Sequence, residues 1–157
     1  MCLGADVARG ENQKPFDSKI DYTHLMWIDS DILFSPAQFQ ALLDHDKDII
    51  SGIYAMQDGK SFATVKDWDE EYFKQNGSFR FLTVEDITRL ASPDGVSSGE
   101  KQKLPDSNLI EVAYTGFGFM LIKKGVFESM TYPWFKPIEK KIGEIIDYTG
   151  RYPDVNW

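Results

Sequence analysis

Residues 25–34 read Leu-Met-Trp-Ile-Asp-Ser-Asp-Ile-Leu-Phe, which places two aspartates, Asp29 and Asp31, inside an otherwise apolar run. An unpaired charge costs several kcal/mol to bury, and here the cost arises twice. It must be met by a cation, by strong hydrogen-bond donors or by exposure at a strand end. The stretch Tyr22–Ile28 ahead of the pair reads as a strand, aromatic and continuous enough to be buried on both faces. Behind the pair, Ser35 suits a helix N-cap and Pro36 the first helical position. Phe39, Leu42 and Leu43 then keep helical spacing up to Asp44. Ile49–Tyr54 reads as a second buried strand, so the order strand, acidic turn, helix, strand predicts a parallel βαβ unit and an α/β fold.

Composition sets the frame for that unit. The chain has 157 residues, 42% hydrophobic and 14% aromatic, which is the make-up of one domain able to bury a core. The formal charge of -8, with lysines and arginines scattered, argues against a nucleic-acid partner, whose phosphates select a basic stripe. An acidic protein handling a phosphate ligand needs a cation between them. One cysteine, Cys2, excludes an internal disulfide framework and a Cys-rich zinc site, and it reads as inert. No run reaches the roughly 18 apolar residues of a membrane span, and residues 1–16 lack the apolar centre of a signal peptide. The expectation is a soluble, cytoplasmic protein without a transmembrane segment.

Elsewhere the pattern is more broken. Residues 1–9 read as the end of a helix, followed by a polar connection from Gly10 to Asp21. Phe62–Val65 and Tyr72–Gln75 read as short strands, and Asn76-Gly77 as a hairpin turn between Tyr72–Gln75 and Ser78–Leu82, because both turn residues tolerate positive φ. A small antiparallel flap follows from that reading. Ser92–Asp106 is polar and rich in breakers, a surface loop or a lid. Leu109–Thr115 resumes as a strand, Gly116-Phe117-Gly118 interrupts it, Phe119–Ile122 continues it, and Gly125–Met130 suggests a short helix.

Ligands of open α/β sheets bind outside the carboxyl ends of the strands, where Asp29 and Asp31 fall. In an extended segment, residues i and i+2 share a side, and two hard oxygen ligands on one side suit Mg²⁺ or Mn²⁺ completed by substrate phosphates. The structural alternative has one aspartate capping the following helix and the other in a turn. Two glycines around Phe117 let backbone approach a ligand, with the ring free to cover a sugar face; a β-bulge with Phe117 in the core is the alternative. Trp134 and Phe135, after Pro133, either extend that wall or anchor the C-terminal segment.

The combination of WIDSDI with a Ser-Pro helix start, KDIISGIYA, and YTGFGFMLIKKGVFESM with YPWF resembles the GT-A glycosyltransferases, which use nucleotide sugars and carry an Asp-x-Asp signature. The resemblance runs from about Tyr22 to Phe135. It implies one GT-A-like domain over residues 1–157, an open mixed sheet flanked by helices. It also implies a UDP- or GDP-sugar donor held through Asp29, Ser30 and Asp31, with Mn²⁺ or Mg²⁺ on Asp29 and Asp31 and Asp31 preferred as direct ligand. Gly116, Phe117, Gly118 and Trp134 would line the sugar and acceptor side; the acceptor itself, a glycan, lipid or protein, is not specified. The family usually has a nucleoside-binding strand first and a Glu-Asp pair downstream that supplies the catalytic base. Only about 20 residues precede the Asp-x-Asp strand here, and Pro153-Asp154 stands where that pair belongs. Asp154 is the candidate base, and neither His24 nor His45 lies late enough for the family's further metal ligand. The expectation is a truncated or minimal member, of viral or environmental type, able to fold yet inactive alone.

Two other classes share the pattern. A haloacid-dehalogenase-type phosphatase also sets Asp-x-Asp after an apolar strand, with the first aspartate as nucleophile, although Leu33 stands where that pattern has Thr or Val. A non-catalytic sugar- or partner-binding module would keep the scaffold without the chemistry.

Overall fold

The structure is a computed structural model, and it describes residues 14–91, 109–135, 138–142 and 145–149. In chain order the elements are β1 (His24–Ile28), α1 (Pro36–Asp44), β2 (Ile49–Ser51), β3 (Thr64–Val65), α2 (Glu70–Asn76), α3 (Val84–Ala91), β4 (Tyr114–Thr115), β5 (Phe119–Lys123), α4 (Val126–Ser129), β6 (Ile138–Ile142) and β7 (Ile145–Thr149). The result is a mixed α/β protein built on short antiparallel sheets. The expected helix end over residues 1–9 and the loop over Ser92–Asp106 lie outside the described residues.

The sheet that carries the aspartates has the order β1-β5-β2, and β5 runs antiparallel to both neighbours. This refines the expected βαβ unit. β1 and β2 do run the same way, but they are not hydrogen-bonded neighbours, because the most apolar strand takes the centre. Phe119, Met120, Leu121 and Ile122 are all buried, whereas β2 is three residues long with Ile49 exposed. A strand covered on both faces must be apolar at every position.

The two faces of β5 separate cleanly. Met120 and Ile122 pack with Phe16, Phe127 and Trp134, and with Leu25 and Trp27 of β1. Phe119 and Leu121 face Leu42 of α1 and Ile50 of β2, and Met26, Ile32, Phe39 and Tyr54 pack against that cluster. The sheet is thereby held between α1 on one side and the α4–Trp134 segment on the other.

α1 begins as expected. Ser35 Oγ accepts from Gln38 N–H at 3.3 Å, the Gln38 side chain accepts from Ser35 N–H at 2.7 Å, and Pro36 opens the first turn. The expected flap is different. Thr64–Val65 pairs with Tyr114–Thr115, and Tyr72–Gln75, expected to pair with Ser78–Leu82 across Asn76-Gly77, is helical instead. Asp69 caps α2 by accepting from Tyr72 N–H, Glu70 and Glu71 fill its first turn, and Gly77 at φ 70 closes it by donating to Phe73 O. Asn76-Gly77 is therefore a helix stop, since the positive φ it permits serves a C-cap as readily as a hairpin. α3 was not expected; its start is a reciprocal cap in which Thr83 Oγ1 accepts from Asp86 N–H and Asp86 accepts from Thr83 N–H. The expected strand Leu109–Thr115 shortens to Tyr114–Thr115, and the hairpin of β6 and β7 is a further element the sequence reading lacked. Among the described residues, no helix is long and apolar enough to cross a membrane.

Candidate functional site

Asp29 extends β1 by one step, its N–H donating to Gly118 O at 3.0 Å. The chain then turns: Ile32 N–H donates to Asp29 O at 3.1 Å, and Ile32 enters the cluster around Leu121. Phe34 lies over Phe119 with ring centroids 5.0 Å apart, so the segment behind the pair is pinned to β5 as well. The extended geometry expected for the aspartates is thus replaced by a turn over Asp29–Ile32, closed by the Ile32 N–H bond to Asp29 O within the six residues between β1 and the Ser35 cap. Neither aspartate caps α1, since Ser35 does so.

Asp29 is partly buried, while Ser30 and Asp31 are exposed. Burial foremost, and the negative charge of Asp31 second, hold the Asp29 carboxyl above the ordinary carboxylate range. Among the described residues no lysine, arginine or histidine forms an ion pair with either aspartate. No third His, Cys, Asp or Glu joins them in a cluster there. No described residue relieves the mutual repulsion of the two carboxylates, which an incoming cation would relieve.

Two glycines of the TGFG segment are explained by a residue the sequence reading overlooked. The Tyr54 phenol oxygen accepts a hydrogen bond from Gly118 N–H at 3.0 Å. A Cβ at Gly116 would fall 2.1 Å from the same oxygen, and one at Gly118 would fall 2.6 Å from Tyr54 Cζ and 2.8 Å from Asp29 Oδ2. Gly116 and Gly118 are small so that the tyrosine can reach the aspartate turn. Gly52 is small for a related reason, because its Cβ would lie 2.5 Å from the Phe119 ring. The SGIY stretch, the TGFGF stretch and the aspartates consequently meet at one place. Burial raises the Tyr54 pKa, the Gly118 N–H works against that rise, and the charges of Asp29 and Asp31 add to it, so the phenol stays protonated. The signal available in the sequence was the pair of glycines two apart, which permits a close approach by a bulky group.

Phe117 points outward, 42% exposed, and its ring meets the edges of Trp27 and Phe135 at centroid distances of 5.8 and 6.3 Å. It is not a core residue. Trp134 is one, 9% exposed, with Nε1 donating to Met130 O and its ring against Phe127 and Tyr132. Of the two aromatic candidates after Pro133, Phe135 joins the Phe117 wall and Trp134 serves as the anchor. Among the described residues, the buried Trp27 Nε1 has no hydrogen-bond partner. His24 contacts Thr23, and His45 follows α1 at its C-cap. Asp154 lies outside the described residues. Two open grooves elsewhere, about 490 and 330 Å³, are lined around Arg80, Arg89 and Tyr72 and around Lys66 and Glu111, and neither includes an aspartate of the turn.

No protein-family model matches this sequence, and comparison with curated proteins and with solved structures finds no match.

Proposed function

We propose that the chain is a GT-A-type glycosyltransferase domain that binds a nucleotide-diphosphate sugar through a divalent cation at Asp29 and Asp31. The observation that carries the reading is the convergence of three separated stretches, WIDSDI, SGIY and TGFGF, on one carboxylate pair that no described residue neutralises. The donor set fits a hard cation such as Mn²⁺ or Mg²⁺: two carboxylate oxygens leave most of an octahedron to water and phosphate, as that class of ion prefers. When bound, the cation would supply Lewis-acid neutralisation of the departing diphosphate.

The remaining work falls to the chain's own groups. The Asp29–Ile32 turn presents both carboxylates at the end of β1, and Ile32 and Phe34 hold the turn rigid against β5. Rigidity matters because a site that must reorganise forfeits electrostatic stabilisation. Phe117, backed by Trp27 and Phe135, offers an exposed ring to the C–H face of a sugar.

The test is hydrolysis or transfer from UDP- and GDP-sugars in the presence of Mn²⁺, followed by mass spectrometry. Turnover that disappears with chelator and with Asp31→Ala supports the reading. Covalent trapping of Asp29 by beryllium fluoride would replace it with a phosphatase.

A further inference from the structure

The Tyr54 hydroxyl uses a lone pair to accept from Gly118 N–H. No described residue takes its own proton. Asp29 Oδ2 and the Tyr54 oxygen lie 2.8 and 2.9 Å from one common point, the position a Cβ would take on Gly118, so they are at most about 5.7 Å apart. That bound puts the hydroxyl beside the Asp29 carboxylate, close enough for one ligand to engage both groups. A phosphate oxygen there would accept from the phenol, and a cation would have to bridge it to Asp29, since two anionic acceptors repel one another.

We infer that Tyr54 is a ligand-binding residue of this site, donating its phenol proton to a phosphate oxygen of a nucleoside diphosphate whose cation rests on Asp29 and Asp31. The inference rests on the metal-dependent reading of the aspartates and adds the group that recognises the anion. A carboxylate pair with a cation attracts any anion, whereas a phenol held at a fixed distance selects an oxygen at one position. Three features of the sequence serve that placement: Gly116 and Gly118 clear space for the ring, and Gly118 N–H orients the hydroxyl. Asp29 and Gly118 are themselves tied by the Asp29 N–H bond to Gly118 O, so donor and acceptor move as one unit.

Calorimetric titration separates this role from a structural one. Mn²⁺ alone, and then UDP and GDP in turn at saturating Mn²⁺, are titrated into the wild-type chain and Tyr54→Phe. The expected result is Mn²⁺ affinity within about twofold of wild type and nucleoside diphosphate affinity weakened at least about tenfold, the loss of one hydrogen bond to a charged group. Unchanged diphosphate affinity in Tyr54→Phe overturns the inference and leaves the aspartate reading intact. Equal losses of Mn²⁺ and diphosphate affinity also overturn it, since the tyrosine then acts only by holding the Gly118 segment. Absence of diphosphate binding by the wild type overturns both. Should Tyr54→Phe fail to fold, the wild-type chain labelled with ¹³C at tyrosine Cζ gives the same answer. The Tyr54 signal is expected to move when UDP or GDP is added to the Mg²⁺-loaded protein and not with Mg²⁺ alone; a signal that ignores the diphosphate refutes the contact.

Discussion

Replacing Gly118 by alanine adds one methyl group at the place where the turn, the tyrosine and β5 meet. Its Cβ would stand 2.6 Å from Tyr54 Cζ, 2.9 Å from the Tyr54 oxygen and 2.8 Å from Asp29 Oδ2, whereas ordinary contacts begin at 3.4 Å. The ring or the turn must therefore retreat by about 0.8 Å, the gap between 2.6 and 3.4 Å. Retreat toward Gly116 brings no relief on its own, because the phenol already fills the space a side chain would take there. Overpacking of this kind costs about 1–3 kcal/mol, and losing the Gly118 N–H bond to the phenol adds about 1 kcal/mol. The expected destabilisation is about 2–4 kcal/mol, read as a shift in the urea midpoint with an unchanged slope. The same substitution made on a Tyr54→Ala background should cost about 1–2 kcal/mol less, because the two tyrosine atoms are gone and only Asp29 Oδ2 still crowds the methyl group. Gly118→Ala within about 0.5 kcal/mol of wild type would refute the account of why the TGFG glycines are there.

Asp29→Asn should stabilise the metal-free protein at pH 7. The folded-state pKa of Asp29 is raised above its ordinary value of 3.8 by burial and then by Asp31, so the wild type loses stability as pH climbs from below 3.8 through the raised value. The asparagine variant escapes that loss, and its advantage should vanish on acidification below about pH 3.8; urea melts in EDTA across pH 3–8 would show it. Gly77→Ala should cost about 1 kcal/mol, entirely from the left-handed backbone at φ 70, because nothing lies within 4 Å of the added methyl group. Carbon chemical shifts of Glu70–Asn76 should at the same time be helical, and strand-like shifts there would restore the discarded hairpin.

What the sequence revealed follows from how local its signals were. β1, the Ser35-Pro36 start of α1 and the apolar β5 each announce themselves within a few residues, through capping and uninterrupted apolar character. The strand order was not legible, because placing β5 between β1 and β2 depends on which strand can be buried on both faces, a property of the whole sheet. Asn76-Gly77 misled because one backbone conformation serves two motifs; the preceding Asp69-Glu70-Glu71 and Lys74 were the discriminating helix signal. The aspartates were found by their charge in an apolar setting. Tyr54 was missed because a tyrosine in a strand reads as core, and only the clearance at Gly116 and Gly118 shows where its hydroxyl goes.

The central claim is that Asp29 and Asp31 bind a nucleoside diphosphate through a divalent cation. Thermal unfolding with UDP or GDP, with and without Mn²⁺, for wild type and Asp31→Ala, tests it most directly. Ligand at about 100 times its dissociation constant contributes about 2.7 kcal/mol, a rise of roughly 5–11 °C for a chain of this size. The account predicts that rise for the wild type only when Mn²⁺ and diphosphate are both present, and its loss in Asp31→Ala. A nucleotide-induced rise that persists in EDTA, or one that survives Asp31→Ala unchanged, would contradict it.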